Sequence, residues 1–140
     1  VIMVQKEVGE RLCAKPGNRT YGAVTVMVQY LATASRAFDV GRRAFTPPPD
    51  VDSTILHLIP YKERPIQAKD DAMMRRVVKA AFSQRRKTLR NSLASMGVDK
   101  AIIAAALKEA GIDEQRRAES LSVAEFVALS DAFTNEGEKS

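Results

Sequence analysis

The sixteen residues from Arg75 to Arg90 include Arg75, Arg76, Lys79, Arg85, Arg86, Lys87 and Arg90 and contain no acid. Cations at this density suit one task, the neutralisation of a polyanion with release of its counterions. Read as a helix, the segment aligns Arg75, Lys79, Arg86 and Arg90 along one face, with Ser83 between them. Val78, Ala81, Phe82, Leu89 and Leu93 then share another face. Like charges four residues apart repel by about 0.2–0.5 kcal/mol per pair, a cost that phosphates would relieve. The plainer alternative is a solvated charged face, paired in part with acids from later helices. An anionic membrane surface fits less well, because the apolar face is modest and the chain has no Trp.

A second candidate is Phe45-Thr46-Pro47-Pro48-Pro49, followed by Asp50-Val51-Asp52-Ser53. Three consecutive prolines fix φ and remove three donors, so the loop should be stiff and polyproline-like. A ring held on such a loop offers a stacking surface for a flipped base. The alternative is that Phe45 belongs to the core and the prolines only shape a turn. Weaker signals remain. Gln5-Lys6-Glu7 follows a strand-like run, where α/β proteins place functional groups, but it equally describes a helix start with an acid in its first turn. His57, the only histidine, lies in an apolar strand without ligands at metal spacing and reads as structural; no metal site is expected. Cys13 stands alone, so neither an internal disulfide nor a Cys-His nucleophile is indicated. No glycine-rich phosphate or dinucleotide loop is present.

These residues need elements to position them. The chain of 140 residues suits one compact domain or two small ones. With 45% hydrophobic residues it is too apolar for disorder, and no apolar run approaches the ~20 residues of a membrane span. The net charge of +5 is uneven: Tyr61 to Ser95 hold ten basic and three acidic residues, whereas Met96 to Ser140 hold five and nine. Val1-Ile2-Met3-Val4 reads as a strand of the kind buried on both faces of a parallel sheet, as if the chain were cut from something longer. Helices are expected over Gln5 to Ala14 and Tyr21 to Ala34, and strands near Ala37 to Val40 and over Val51 to Pro60. Tyr61 to Lys69 reads as a linker. Beyond it the pattern is helical: one long helix capped by Asp70 or Asp71 and running to about Ala94, a second from Lys100 to Ala110 capped by Asp99 and stopped by Gly111, and a third behind the Ser122/Glu125 capping box, reaching about Phe133. The expected fold is an α/β remnant over residues 1–65, followed by a small all-α domain over residues 66–140.

Several segments, in order along the chain, resemble the ribosomal RNA adenine dimethyltransferases of the bacterial KsgA type. Met3-Val4-Gln5-Lys6-Glu7-Val8 resembles the family's M-x-Q-K-E-V, and Tyr21 to Val26 with Gln29 resembles its Y-G-x-L-S-V-x-x-Q. Phe45 to Ser53 is similar to F-x-P-x-P-x-V-D-S, and Phe82 to Leu93 to F-x-Q-R-R-K-T-L-R-N-S-L. Arg117-Ala118-Glu119 with Leu121-Ser122 resembles R-A-E-x-L-S. The basic signature distinguishes this branch from the antibiotic-resistance rRNA methylases, which share the proline motif.

The resemblance implies the C-terminal part of a Rossmann-like methyltransferase sheet. It implies transfer of methyl groups from S-adenosylmethionine to the exocyclic amines of two adjacent adenosines near the 3′ end of small-subunit ribosomal RNA, in the cytoplasm. Phe45 would lie beside the target base. The helical domain would touch RNA through Arg85, Arg86, Lys87 and Arg90, and the charged face read from the spacing adds Arg75 and Lys79 to the expected RNA contacts. The family's G-x-G-x-G and N-L-P-Y motifs, which bind the donor and hold the adenine amine, do not occur in these residues. The segment alone is therefore expected to bind RNA but neither cofactor nor methyl acceptor productively, and to self-associate through an exposed sheet edge. The alternatives are a non-catalytic RNA-binding or ribosome-assembly module and a sequence-tolerant DNA-binding helical domain.

Overall fold

The computed structural model describes residues 1–47 and 51–139. Its layers are a three-stranded sheet carrying two helices and, after residue 65, helices alone, so the α/β remnant and the all-α part are both present.

The strands are β1 (Ile2–Gln5), β2 (Ala32–Val40) and β3 (Ser53–Pro60), in the order β1-β3-β2. Both outer strands run antiparallel to β3. Among the described residues β1 pairs on one side only, antiparallel with β3 and with Gln5 opposite Ser53, where the sequence suggested parallel neighbours; Val1, Ile2 and Met3 are exposed, as expected for an apolar sheet edge. An unbroken apolar run specifies strand but not partner, since the pairing is chosen by whichever strand lies alongside. β2 starts five residues before the expected Ala37, directly from α2, and bulges between Arg36 and Phe38. The bulge is why Arg36 shares a face with Leu56 while Phe38 turns to the opposite face with Ile55.

Helices α1 (Lys6–Leu12) and α2 (Ala23–Leu31) cover one face of the sheet. Gly9 lets α1 lie directly on β3, where any Cβ would overlap Thr54 Cγ2. Thr25, an interior residue of α2, donates to the Arg11 carbonyl at 2.7 Å, and Gln29 donates to the carbonyls of Leu12 and Ala14. The two helices are therefore locked together at the end of α1.

The remaining helices are α3 (Asp71–Ala81), α4 (Leu89–Ser92, continued by a 3-10 turn to Met96), α5 (Lys100–Ala110) and α6 (Val123–Lys139). Asp70 caps α3 by accepting from the backbone of Ala72 and Met73. Gly111 ends α5 in the left-handed conformation at φ 72°, and the Ser122/Glu125 box closes reciprocally at 3.1 Å in both directions. Two expectations need correction. Asp99 makes no side-chain cap bond, and α6 runs six residues beyond Phe133, where Thr134 donates back to the Ser130 carbonyl at 3.1 Å.

The core does not stop at residue 65. Tyr21, Val26 and Tyr30 join Met74, Val77, Leu93, Leu107, Phe126 and Leu129 in one buried cluster. Polar bonds cross the same junction. Tyr30 Oη accepts from the Ala68 amide and donates to Asp71 Oδ1 at 2.7 Å, and Arg64 pairs with Asp71 while lying 4.9 Å from the Tyr30 ring centre. The Arg64 guanidinium, with the Tyr30 hydroxyl, holds the Asp71 carboxyl below the usual range.

Candidate RNA-binding surface

The basic segment is not one helix. α3 ends at Ala81, a turn joins Gln84 to Lys87, and α4 begins at Leu89. The long helix expected from Asp70 to about Ala94 is corrected accordingly, and with it the single stripe of Arg75, Lys79, Arg86 and Arg90. The physical reason lies in residues 83–88. Ser83 to Thr88 supply no apolar side chain for a core, so a helix through them would have no face to bury. Ser83 Oγ donates to the Ala80 carbonyl at 2.6 Å, offering the chain a local alternative to the next helical bond. Phe82 packs sideways instead, edge-on to Tyr21 at 6.1 Å and beside Phe126 at 5.7 Å. The result is a rigidly anchored loop. Beyond it, the amides of Leu89 and Arg90 donate to the carbonyls of Arg116 and Glu114.

The seven cations divide into two groups. The side chains of Lys79, Arg86 and Lys87 are exposed and have no hydrogen-bond or ion-pair partner among the described residues. Arg75 is exposed on α3 and adds to the positive field around Asp71. Arg76 reaches the Met96 carbonyl at 3.5 Å, a marginal bond. Arg90 faces Glu114 at 3.7 Å, with both side chains largely in solvent, a pairing that contributes little. Arg85 differs from all of these: its Nη2 donates to the carbonyls of Arg19 and Tyr21, each at 2.8 Å.

Phe45 follows a 3-10 turn over Arg42–Ala44 and is half-buried, in extended backbone before a cis Thr46-Pro47 bond. Pro48, Pro49 and Asp50 of the proline loop lie outside the described residues. The loop's far side is held by Asp52. Its carbonyl accepts from the Lys6 amide at 2.9 Å, and its Oδ1 accepts from the Arg42 amide at 3.0 Å. The end of β1, the 3-10 turn and the start of β3 thus meet at a shallow cleft lined by Lys6, Glu7, Glu10, Arg42, Val51 and Asp52. Sequence reading assigned Asp52 no role, because only the Gln5–Ser53 register brings it to Lys6. Nearby, Arg36 grips Asp39 at 2.8 and 3.1 Å and holds its carboxyl below the usual range. Burial pushes the Cys13 thiol up, Arg36 offsetting this in part, so the thiolate is disfavoured. No cluster of three or more potential metal ligands occurs among the described residues. His57 is exposed on the sheet.

Comparison with known proteins identifies the family. The family described as Ribosomal RNA adenine dimethylase matches residues 1–135. The chain belongs to this family. It is similar to the ribosomal RNA small subunit methyltransferase A of Acinetobacter baylyi, 49% identical over 129 residues, which are 92% of this chain and 45% of that protein. It is also similar to the protein of that name from Moorella thermoacetica, 46% identical over 93% of this chain and 45% of the relative. Among solved structures, a dimethyladenosine transferase from Plasmodium falciparum superposes with a TM-score of 0.82 at 25% identity, covering 96% of this chain and 56% of that one. The 23S rRNA methyltransferase ErmE, at a TM-score of 0.62 and 23% identity over 94% of this chain and 53% of its own, shares the fold. The chain spans about half the length of the curated relatives it matches.

A methyltransferase family implies S-adenosylmethionine, but the residues present do not fit it. They include no glycine-rich loop, and the cleft beyond β1 is lined by Lys6, Glu7, Glu10, Arg42 and Asp52 with Val51 as its one apolar side chain, which leaves no apolar face for an adenine ring.

Proposed function

We propose that this chain is the RNA-gripping part of an S-adenosylmethionine-dependent ribosomal RNA adenine dimethyltransferase. It would act in the cytoplasm on two adjacent adenosines near the 3′ end of small-subunit ribosomal RNA, free or in a pre-ribosomal particle. The observation that carries this reading is the loop tip, where Arg86 and Lys87 stand exposed with no side-chain partner among the described residues. Together with Arg75, Lys79 and Arg90, these residues form a surface that a phosphate backbone would neutralise. Phe45 would stack on a base swung out of its helix. By itself, the segment would hold RNA without transferring a methyl group.

Titration of the protein with an RNA hairpin carrying two adjacent loop adenosines tests this reading. If about four phosphates are contacted, log affinity should fall against log salt with a slope of roughly −3 to −4. Replacing Arg86 and Lys87 together with Glu should remove most binding at ~150 mM salt. An affinity independent of salt, or indifferent to that pair of substitutions, would overturn it. In the full-length enzyme, Phe45→Ala should lower methyl transfer far more than RNA affinity, and equal losses would remove the stacking role.

A further inference from the structure

We infer that Arg85 is a positioning residue that clasps the basic loop to the segment entering α2, and is not itself a phosphate contact. The inference rests on the RNA-binding reading above and deepens it by dividing the loop's cations into those that touch RNA and one that aims them.

One nitrogen of the Arg85 side chain gives both of its hydrogens to backbone carbonyls, Arg19 and Tyr21, at 2.8 Å each. These carbonyls flank Thr20, so the guanidinium holds the turn that the Tyr21 amide closes on the Asn18 carbonyl, just before α2. The same stretch is held from the other side. The Gly17 amide donates to the Glu119 carbonyl at 2.7 Å, and the Tyr21 hydroxyl donates to the Leu121 carbonyl at 2.7 Å. Glu119 also lies 3.9 Å from Arg85, and the Phe82 ring meets Tyr21 edge-on. Arg86 and Lys87, the next two residues, have none of these ties. The loop is therefore fixed at Phe82, at Arg85 and again at Leu89, and presents its free cations from the span between. The planar guanidinium aims both Nη2 hydrogens in fixed directions from the end of a longer arm, which a freely rotating lysine ammonium on a shorter stem does not reproduce. The clasp also joins the two layers: α2 begins at Ala23, two residues after Tyr21, and leads directly into β2, the strand that precedes Phe45.

The test compares Arg85→Gln, Arg85→Lys and Arg86→Gln, titrating the same hairpin RNA from ~50 to ~200 mM salt, with hydrogen exchange read at the amides of residues 18–22 and 83–88. A lost phosphate contact lowers the salt slope by about one, and this is expected for Arg86→Gln alone. Arg85→Gln should leave the slope as it is and weaken binding by a similar factor at every salt concentration, on the order of tenfold for two charge-assisted bonds. Arg85→Lys, which keeps the charge, should fare no better than Arg85→Gln. Exchange at both segments should quicken in the two Arg85 variants and stay unchanged in Arg86→Gln. The clasp is overturned if Arg85→Gln lowers the slope by about one and Arg85→Lys restores it, or if exchange does not change. A slope untouched by Arg86→Gln would instead overturn the phosphate role of the loop tip, while exchange would still report on the clasp.

Discussion

On the helical side Met74, Val77, Leu89, Leu93 and Phe126 are sealed from solvent, whereas on the outer face of the sheet Met3, Phe38 and Ile59 expose 53%, 62% and 62% of their surface. Both regions are rich in aliphatic side chains, so composition does not separate them. Geometry does. A helix in a bundle has one apolar stripe and finds neighbours for it among the other helices. A sheet has two faces and needs a layer on each. Here α1 and α2 cover the face of Thr54 and Leu56, and the face of Met3, Ile55, Phe38 and Ile59 has no layer over it among the described residues. The helical side therefore holds most of the stability, and the sheet is where association is expected.

Breaking the closed side should cost most. Phe126→Ala removes a ring packed against Phe82 in the centre of the cluster, and urea unfolding should show a loss of about 3–5 kcal/mol. A loss under ~1 kcal/mol would mean that the helices do not form the stabilising core. Gly9→Ala, on the covered face, forces a methyl into Thr54 and should cost about 1–3 kcal/mol by the same measurement.

The sealed interior also predicts an alkaline weakness. Burial, aided by the Glu125 charge, pushes the Tyr21 hydroxyl from 10.0 up to about 12, and that hydroxyl donates to Leu121. Because the folded state holds this proton more tightly than the unfolded chain, the contribution is complete below pH 10 and fades as pH rises towards 12. Thermal unfolding across that range should show the decline, and Tyr21→Phe should reduce its steepness. An unchanged profile would mean that the phenol is not sealed.

The open sheet should behave in the opposite way. Ile59→Thr, at an exposed position of β3, should change stability by less than ~0.5 kcal/mol. Light scattering of the unmodified chain should show a concentration-dependent dimer, and Met3→Lys on the open face of β1 should weaken it. A monodisperse monomer at high concentration would indicate that the uncovered edge is harmless.

Wherever chemistry is local, the amino-acid order was enough. Asp70, Gly111 and the Ser122/Glu125 pair act through backbone atoms two to four residues away, so cap and stop signals could be read directly. The same holds for the strand residues of β3, for the acid-free run of cations and for the motifs that mark the family. What only the folded chain decided involves partners distant in sequence. The break between α3 and α4 depends on Phe82 finding Tyr21 and Phe126, β1 pairs antiparallel because β3 is the strand beside it, and Asp52 reaches Lys6 through that register. Arg85 looks like its basic neighbours until the chain before α2 brings two carbonyls within 2.8 Å. A side chain's type sets what it can bond to; which partner it meets depends on packing across the whole chain, and no short stretch of sequence contains that information.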